Sequence, residues 1–573
     1  MIVHTQRESF PFQGTALAVH LICLLSVLFG AGSVSLTYRI ALEMFPHQRR
    51  LALGAAAINA FIPQFLFISG AVNNDSLVIL LSSLALLLII RLLHNVSMTK
   101  SQFPIGHWSL LGFVLGLACL SKLIGHGLLI LTAIILIIEA CRRRSPRPLV
   151  GRMITPTVAL AVGGWWYIRN WTLYGDPTGL NMMLAVVGRG SPPSNLPGLW
   201  GEFRGLRMSF WAPFGWFSIL VAPAAYVILD AVSLLALAGL AVWFVRQRKK
   251  RSGGFALRSL SVLILWLAIV FLGLVRWTWI TPGTRGRLLF PAISAISILL
   301  MVGLSQFVPA RYAKNSVGVI SLAMLVFAVL CPFLYMGPAY VRPPIFSPDE
   351  ILPGVVQLNA DFGYALSPSK GGKIRLLGYQ LDRERVKPGE TLGITLYWQG
   401  LVEMKENYYL FIHLLGRRGL LVGYEDTYHG WGSYPTSLWR PGEIIGDTYR
   451  LPISEDALAP SLIRVDVGLY DPSTGRGLTV FDQARQPIGN SVIIGQLKMV
   501  PRGRREYAID NQLYFNLANK VALTGYNVDK ADLRSGEEIR LTLYRQAEEE
   551  MGTDYTVFTH LIDKEGKILG ADG

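Results

Sequence analysis

Long apolar runs constrain this chain most, because they recur from residue 14 to residue 336 with only short polar loops between them. A helix needs about 20 mostly apolar residues to cross a bilayer. A hydrophobic content of 52% with only 16% charged residues also excludes a large soluble enzyme. We interpret ten runs as membrane spans: residues 14–42, 51–70, 76–94, 107–121, 126–140, 153–168, 217–245, 259–275, 288–307 and 315–336.

The basic residues predict how these spans are oriented. The formal net charge of +16 comes largely from Lys and Arg in alternate loops, such as those around residues 142–152 and 246–258. Loops rich in Lys and Arg face the cytoplasm. This rule places the loop at 69–76 and everything after residue 336 outside the cytoplasm. It predicts a multi-pass protein of the plasma (inner) membrane, and it explains the positive charge without a nucleic-acid partner.

The same orientation puts Met1 outside the cytoplasm with no span before it. Something must carry that end of the chain across the membrane. We therefore expect the intact protein to have one more helix and one more loop at its start.

A short polar segment, SGAVNNDS at residues 69–76, contains the one acidic side chain between Glu43 and Glu139, namely Asp75. Guanidinium groups bind phosphate through paired hydrogen bonds, and carboxylates act as bases. The predicted outer face combines such groups, so it predicts a site for a lipid-linked phosphate. Asp75 is the candidate catalytic residue. The candidate phosphate ligands are Lys122, Arg169, Arg285 and Arg287, and the supporting residues are Asn73, Asn74, His126 and Asp176.

Each candidate also has a structural explanation. The residues before the run at 76–94 are typical of a helix N-cap, and Lys122 is placed to extend from the end of a short helix to the membrane surface. His126 at a helix start is more often structural than catalytic. Arg285 and Arg287 lie where the charge rule disfavours them, which favours a phosphate role. No metal site is predicted, because the four cysteines lie in or beside apolar runs without His or Cys partners at ligand spacing.

Asp230 lies inside an apolar run, where an ionised side chain is costly if it faces lipid. We expect it to pair within the helix bundle. A proton or ion path remains the alternative.

Short motifs recur along the first 340 residues, at 38–39, 45–46, 60–64, 69–76, 112–122, 166–177, 209–216 and 286–291. As a set, they resemble GT-C-type glycosyltransferases of family 39, the protein O-mannosyltransferase and aminoarabinose-transferase-like enzymes. The resemblance implies an extracytoplasmic enzyme that takes a sugar from a polyprenyl phosphate, with a carboxylate as base and basic residues on the lipid phosphate. Asp75 matches a second acidic position of the family, while the first acidic loop has no counterpart here.

After residue 336 the pattern changes to alternating apolar and polar residues separated by turn signals, which predicts antiparallel β-sandwich modules. Residues 373–426 recur as 520–573 without a gap, with 19 identities in 54 positions. Two tandem modules are therefore predicted, and the second stops where the first continues. We expect a transmembrane GT-C-like domain at 1–336, a linker at 337–371, a β-sandwich module at 372–500 and a second, truncated one at 501–573.

A pair of repeated histidines and a set of three tryptophans in these modules each allow a structural or a functional role. His413 and His560 correspond in the repeat, and a structural role is favoured over a metal or catalytic one. Three tryptophans could bind carbohydrate or pack in the core, and core packing is the commoner role: Trp398, Trp431 and Trp439.

The predicted function is therefore a hexosyltransferase-type membrane glycosyltransferase, with an inactive shortened form as the other interpretation of the missing first acidic loop. It would move a sugar from a polyprenyl-phosphate donor to a hydroxyl of a glycan, lipid or protein acceptor, with no firm cofactor. The alternative is a non-catalytic membrane protein that displays extracellular β modules for glycan or lipid-headgroup binding. A transporter is a more distant third possibility, because it would rest on Asp230 alone.

Overall fold

A computed structural model describes residues 10–97, 105–143, 149–190, 196–215, 217–250, 254–281, 285–347, 350, 354–364, 372–502, 508–530, 532, 534, 536–549 and 555–572. Trp216, the last residue of the 209–216 motif, lies outside this part. The helices within it are α1 Gly14–Met44, α2 Arg49–Ala60, α3 Pro63–Ser69, α4 Asp75–Ser97, α5 Ile105–Ser121, α6 Gly125–Arg143, α7 Leu149–Tyr174, α8 Leu180–Val187, α9 Leu196–Trp211, α10 Pro223–Lys250, α11 Gly254–Ile280, α12 Ile293–Leu304, α13 Ala313–Cys331 and α14 Gly337–Ala339.

Every predicted span contains helix, but the count of ten spans is not confirmed. Among the described residues, six helical segments are long and apolar enough to cross a membrane, and a bent helix pair makes a seventh if it counts as one span. Helices α5 and α6 are apolar but shorter. The run predicted at 217–245 begins later, since α10 starts at Pro223. The chain is therefore a multi-pass membrane protein, and its described part has six or seven candidate spans by length and composition.

The predicted span at 51–70 is not one straight helix. Helices α2 and α3 meet at an angle of 64° across a short break. Pro63 is at the start of α3, and proline fits the first turn of a helix but not its interior, where it lacks the N–H to donate. Helix α3 ends at Ser69, and the short loop after it leads to Asp75 at the start of α4.

The helical bundle is held by a mainly aliphatic core and by a buried polar network. Thr37 of α1 bonds Ser294 of α12 at 2.7 Å and accepts a hydrogen bond from Asn59 of α2, also at 2.7 Å. Ser83 of α4 bonds the same Ser294 at 2.8 Å. All four side chains are buried. Hydrogen bonds of this kind between helices fix their rotation relative to one another, since apolar packing alone does not specify it.

The strands of the structure are β1 Pro213–Phe214, β2 Ile219–Leu220, β3 Ile345–Phe346, β4 Val356–Gly363, β5 Ile374–Leu381, β6 Arg385–Val386, β7 Thr391–Gly400, β8 Tyr409–Leu415, β9 Leu421–Tyr428, β10 Ile444–Pro452, β11 Ser461–Asp471, β12 Arg476–Gly477, β13 Thr479–Phe481, β14 Pro487–Gly489, β15 Ser491–Met499, β16 Asn511–Leu517, β17 Val521–Val528, β18 Leu541–Ala547, β19 Thr559–Ile562 and β20 Ile568–Asp572. A seven-stranded sheet has the order β14-β13-β4-β5-β7-β10-β3, and a six-stranded sheet contains β6-β15-β11-β8-β9 with β12 beside β11.

One hydrophobic core joins these two sheets. It contains inward residues of β5, β7 and β10 from the first sheet and of β8, β11 and β15 from the second. Trp398 and Trp439 are buried in it, so they pack in the core, as the commoner of the two alternatives predicted. Trp431 packs at its margin.

The segment at 337–371, predicted to be a linker, contributes two strands to the seven-stranded sheet. Strand β3 pairs with β10, and β4 pairs with β5 and β13. The sequence pattern missed β3 because two residues are too few to show an alternation. Residues 365–371 of that segment lie outside the described part of the chain.

The internal repeat is visible strand by strand. Strands β17, β18, β19 and β20 follow the repeat of β5, β7, β8 and β9. Lys373 Nζ donates to the Tyr408 hydroxyl at 2.7 Å, and in the second copy Lys520 Nζ donates to the Tyr555 hydroxyl at 2.8 Å. The second copy forms a three-stranded sheet, β16-β17-β18, and the hairpin β19-β20.

Candidate functional site

Asn73 caps the first turn of α4. Its side-chain oxygen accepts the backbone N–H groups of Asp75 at 2.8 Å and of Ser76 at 3.2 Å. Its amide nitrogen donates to the carbonyl oxygens of Ile68 at 2.6 Å and of Ala71 at 2.9 Å. The cap predicted for this segment therefore exists, but Asn73 supplies it. The carboxylate of Asp75 is left for other contacts.

Asp75 is the centre of a small ionic cluster. Asp75 is only 4% exposed. Lys122 donates a hydrogen bond from its Nζ to the Oδ1 atom of the Asp75 carboxylate. Arg287 approaches the other carboxylate oxygen, with Nε 3.8 Å from Oδ2. Two cations from different parts of the chain thus share one buried carboxylate. A buried carboxylate stays ionised only with a close partner of opposite charge, and Lys122 is that partner.

The loop after α5 brings Lys122 to this carboxylate. Asn74 donates from its side-chain amide to the carbonyl oxygen of Ser121 at 3.0 Å, which ties the start of α4 to the end of α5. The backbone N–H of Lys122 donates to the Ala118 carbonyl at 3.1 Å and continues the last turn of that helix. Lys122 was expected either to extend to the membrane surface or to hold a phosphate. In the structure it pairs with Asp75 and remains partly exposed.

Arg287 belongs to the 3-10 helix Gly286–Ala292, which precedes α12. The N–H of Gly286 donates to the Ser209 hydroxyl at 2.6 Å, so this helix is fixed against α9. A side chain could not replace that glycine, because a Cβ there would lie 2.2 Å from the backbone nitrogen of Phe210. The motifs at 209–216 and 286–291 therefore meet in space, a contact that their sequences did not predict.

Arg285 directly precedes this helix, and its positive charge lies close to that of Arg287. Burial, and then the positive charge of Arg287, lower the pKa of Arg285. The guanidinium of Arg287 has its Nε buried without a hydrogen-bond partner among the described atoms. A buried arginine N–H without a partner is available to donate a hydrogen bond to a ligand.

Two other predicted residues make mainly local contacts. Arg169 lies over the ring of Trp166 at 5.0 Å and donates to Asn170 at 3.3 Å. Asp176 accepts hydrogen bonds from the Asn181 N–H at 3.0 Å and from the hydroxyl and N–H of Thr178 at 2.7 Å and 2.9 Å, and these lower its pKa. The geometry gives Asp176 a capping role before α8.

His126 stays at a helix start, as its structural explanation predicted. Its Nδ1 lies 2.8 Å from the Leu123 carbonyl oxygen, and its ring meets Tyr167 edge to face at 5.0 Å. Tyr167 donates to the carbonyl of Cys119 at 2.6 Å. His126 thus packs beside the end of α5, and the contacts described for it do not reach Asp75.

Asp230 pairs within the bundle, as predicted, because Arg207 of α9 donates to its carboxylate. Towards the far end of α4, about 24 to 28 Å from Asp75 along the helix, His94 and Arg91 contact Glu43 at 2.9 Å and 3.4 Å. The two ends of the bundle therefore carry separate ionic clusters.

Within the described ranges, no group of three or more His, Cys, Asp or Glu side chains is placed to hold a metal ion. The site at the start of α4 instead combines one carboxylate with several cationic side chains. That combination suits a ligand with a phosphate group and an adjacent hydroxyl.

A family match supports the resemblance over part of the chain. Residues 16–166 match the family described as dolichyl-phosphate-mannose-protein mannosyltransferase. No curated protein sequence matches the chain. Two solved structures are similar over 55% of it: ArnT from Cupriavidus metallidurans in the apo state, with 16% identity and a TM-score of 0.34, and the same protein bound to undecaprenyl phosphate, with 17% identity and a TM-score of 0.29.

The matched part spans about half the length of those structures, 50% and 51% respectively. The family match covers α1 through most of α7, which includes Asp75 and Lys122. Residues 16–166 of this membrane protein therefore carry the sequence signature of GT-C-type glycosyltransferases related to the dolichyl-phosphate-mannose-protein mannosyltransferases.

Proposed function

We propose that the chain is a polyprenyl-phosphate-dependent glycosyltransferase whose site lies at the end of the bundle where α4 begins. The observation that carries this proposal is the convergence of Lys122 and Arg287 on the buried carboxylate of Asp75. The family signature over residues 16–166 supports the same reaction class. The predicted orientation puts this site, the two-sheet module and its partial repeat outside the cytoplasm.

The two cations are suited to the phosphate of the donor lipid. A phosphate offers several oxygen acceptors, while Asp75 offers two that Lys122 and Arg287 already approach from different sides. When the lipid phosphate binds, Lys122 and Arg287 exchange some of their contacts with Asp75 for contacts with the phosphate oxygens. Arg285 adds a third positive charge at the same helix start. Preorganised cations of this kind stabilise the negative charge that collects on a departing phosphate.

Asp75 has the complementary task. An acceptor hydroxyl attacks the anomeric carbon of the sugar, a new carbon–oxygen bond forms, and the bond from that carbon to the phosphate oxygen breaks. The hydroxyl proton passes to the Asp75 carboxylate, and the polyprenyl phosphate leaves as an anion. A carboxylate serves as the base more readily once the phosphate has drawn Lys122 and Arg287 away from it.

The experiment separates donor binding from transfer in the full chain. Binding is measured with undecaprenyl phosphate as the probe, by native mass spectrometry of the detergent-solubilised protein. Transfer is measured in membranes supplied with a panel of radiolabelled polyprenyl-phosphate sugars. Arg287→Met should weaken undecaprenyl phosphate binding at least about tenfold, since a desolvated charged contact is worth more than 1.4 kcal/mol.

Asp75→Asn should keep lipid binding and lose transfer. Arg246→Met is the matched control, because Arg246 contacts Gln306 at the opposite end of the bundle. Undiminished transfer by Asp75→Asn, or equal lipid binding by Arg287→Met and Arg246→Met, would contradict the proposal.

A further inference from the structure

The outer face of the six-stranded sheet carries a continuous row of aromatic rings. Tyr409, Phe411 and His413 alternate along β8 with the buried residues of that strand, so they point away from the core. In the register of the sheet, Tyr409 lies opposite Tyr428 of β9 and Tyr470 of β11. The other face of β8 points into the core between the sheets through Leu410, Ile412 and Leu414.

The rings of this row touch one another. Tyr428 and Tyr409 have centroids 4.2 Å apart, Tyr409 and Tyr470 5.4 Å, Tyr470 and Phe411 6.4 Å, and Phe411 and His413 4.8 Å. Cross-strand aromatic pairs stabilise a sheet, but two neighbours are enough for that. Five contiguous rings on a solvent-facing surface are typical of an interaction site.

A glycine keeps this surface flat. Gly468 of β11 lies opposite Phe411, and a Cβ on it would approach a ring carbon of Phe411 to 2.2 Å. The ring of Phe411 therefore lies across the neighbouring strand. Tyr424, opposite His413 on β9, extends the row outward and is 58% exposed.

Acidic groups border the rings. Asp426 lies opposite Phe411 with its Oδ1 3.5 Å from His413 Nε2, and Asp466 lies opposite His413 on the other side. Burial and then nearby charges, including that of Asp426, raise the pKa of Tyr470. This face thus offers ring surfaces, hydrogen-bond acceptors and phenol donors together. Carboxylates accept bonds from hydroxyl groups and repel anions.

We propose that this face of the first module binds a neutral oligosaccharide. The apolar faces of its sugar rings would stack along the row Tyr428, Tyr409, Tyr470 and Phe411 and reach Tyr424 at the outer end of that row. Its hydroxyl groups would donate to Asp426 and Asp466. The site is independent of the transfer reaction at Asp75.

The internal repeat assigns the site to the first module. The Phe411–His413 pair recurs as Phe558 and His560, with ring centroids 5.2 Å apart. The positions that correspond to Tyr409 and Tyr424 are Thr556 and Ala571 in the second copy. The shared pair is therefore part of the common strand structure, while the tyrosines that widen the surface belong to the first copy.

The test uses the full chain in detergent and isothermal titration with defined probes. Cellohexaose, chitohexaose and linear mannohexaose are the neutral probes, and hexagalacturonic acid is the anionic one. At least one neutral probe should bind, and Tyr424→Ala and Phe411→Ala should each weaken it about tenfold. Tyr424→Ala is included because that side chain is exposed and its removal leaves the core intact.

Tyr514→Ala is the matched control, an exposed tyrosine of the second copy with a similar exposure of 64%. Asp75→Asn should bind the oligosaccharide normally even if it fails in sugar transfer, so the two proposals fail separately. The proposal is overturned if none of the neutral probes binds, if hexagalacturonic acid binds better than all of them, or if Tyr424→Ala binds as the unaltered chain does.

Discussion

The side-chain oxygen of Asn73 accepts a hydrogen bond from the backbone N–H of Asp75 at 2.8 Å, so these two residues have different roles at the start of α4. One satisfies the backbone of the helix, and the other directs its carboxylate to Lys122 and Arg287. An aspartate that caps its own helix would not be available to two cations. The division explains how a segment with the sequence of an N-cap can also supply a charged group to a site.

The first prediction concerns this cap. Asn73→Ala removes the acceptor of two N–H groups and should lower the stability of the bundle by about 1 kcal/mol. Asn73→Asp keeps a good capping oxygen but adds a negative charge near Asp75. The midpoint of thermal unfolding in detergent measures both. Asn73→Ser is the control that keeps a capping oxygen without that charge, and it should stay close to the unaltered chain. Equal midpoints for the Ala and Ser variants would show that the cap contributes nothing.

The second prediction concerns the ion pair of Lys122 with Asp75. Lys122→Met leaves the nearly buried carboxylate with Arg287 alone, at 3.8 Å, and should destabilise the chain by about 1–3 kcal/mol. Asp75→Asn with Lys122→Met should cost less than the sum of the single changes, because neither charge is then left without its partner. A double-mutant cycle on thermal midpoints measures this coupling. Strict additivity of the two changes would contradict the pairing.

The third prediction concerns Gly286, where the 3-10 helix that carries Arg287 touches α9. Gly286→Ala places a Cβ against the backbone of Phe210, which no side-chain rotation can relieve. We expect a loss of about 1–3 kcal/mol and a displaced Arg287, and hence weaker undecaprenyl phosphate binding. Gly318→Ala is the control, because nothing lies within 4 Å of a Cβ there. Similar lipid binding by both variants would argue against a role of this contact in placing Arg287.

The sequence predicted the helical segments, the change to strands and the internal repeat well, since each rests on a local period. It also grouped Asp75, Lys122 and Arg287 on one face through the distribution of charge alone. It did not predict the 64° bend between α2 and α3, because an apolar run has the same composition whether the helix is straight or broken. Nor could it separate Arg169 and Asp176 from the cluster, since sharing a membrane face does not specify lateral position.

The modules show a similar limit. The alternation of β8 predicted which side chains face the core, but the pattern of one strand does not say which residues lie opposite it. His413 was therefore interpreted as structural without its neighbours Tyr424 and Asp466, which only the register of three strands brings together. The same holds for Glu425 of β9, which no sequence motif singles out.

The last prediction concerns this glutamate. Glu425 lies opposite the fully buried Ile412, so it faces the core side of β9. Burial, and then the charge of Asp426, raise the pKa of Glu425 from its ordinary value of 4.5 to about 7. Between these two pH values the unfolded chain has already lost a proton that the folded module still holds. Stability should therefore fall as the pH rises through this window.

Glu425→Gln removes the titrating group and should remove this part of the slope. The unaltered protein and Glu425→Gln should have similar free energies of unfolding near pH 4.5. Above pH 7 the variant should be more stable by about 1 kcal/mol, a value that allows for the partial exposure of the side chain. Hydrogen exchange of strand Ile444–Pro452, compared between the two chains at each pH, reports on the module itself. Because both chains share the intrinsic pH dependence of exchange, only the difference between them carries the effect of Glu425. Parallel curves across the window would mean that the carboxyl group is ionised in the folded module as readily as in water.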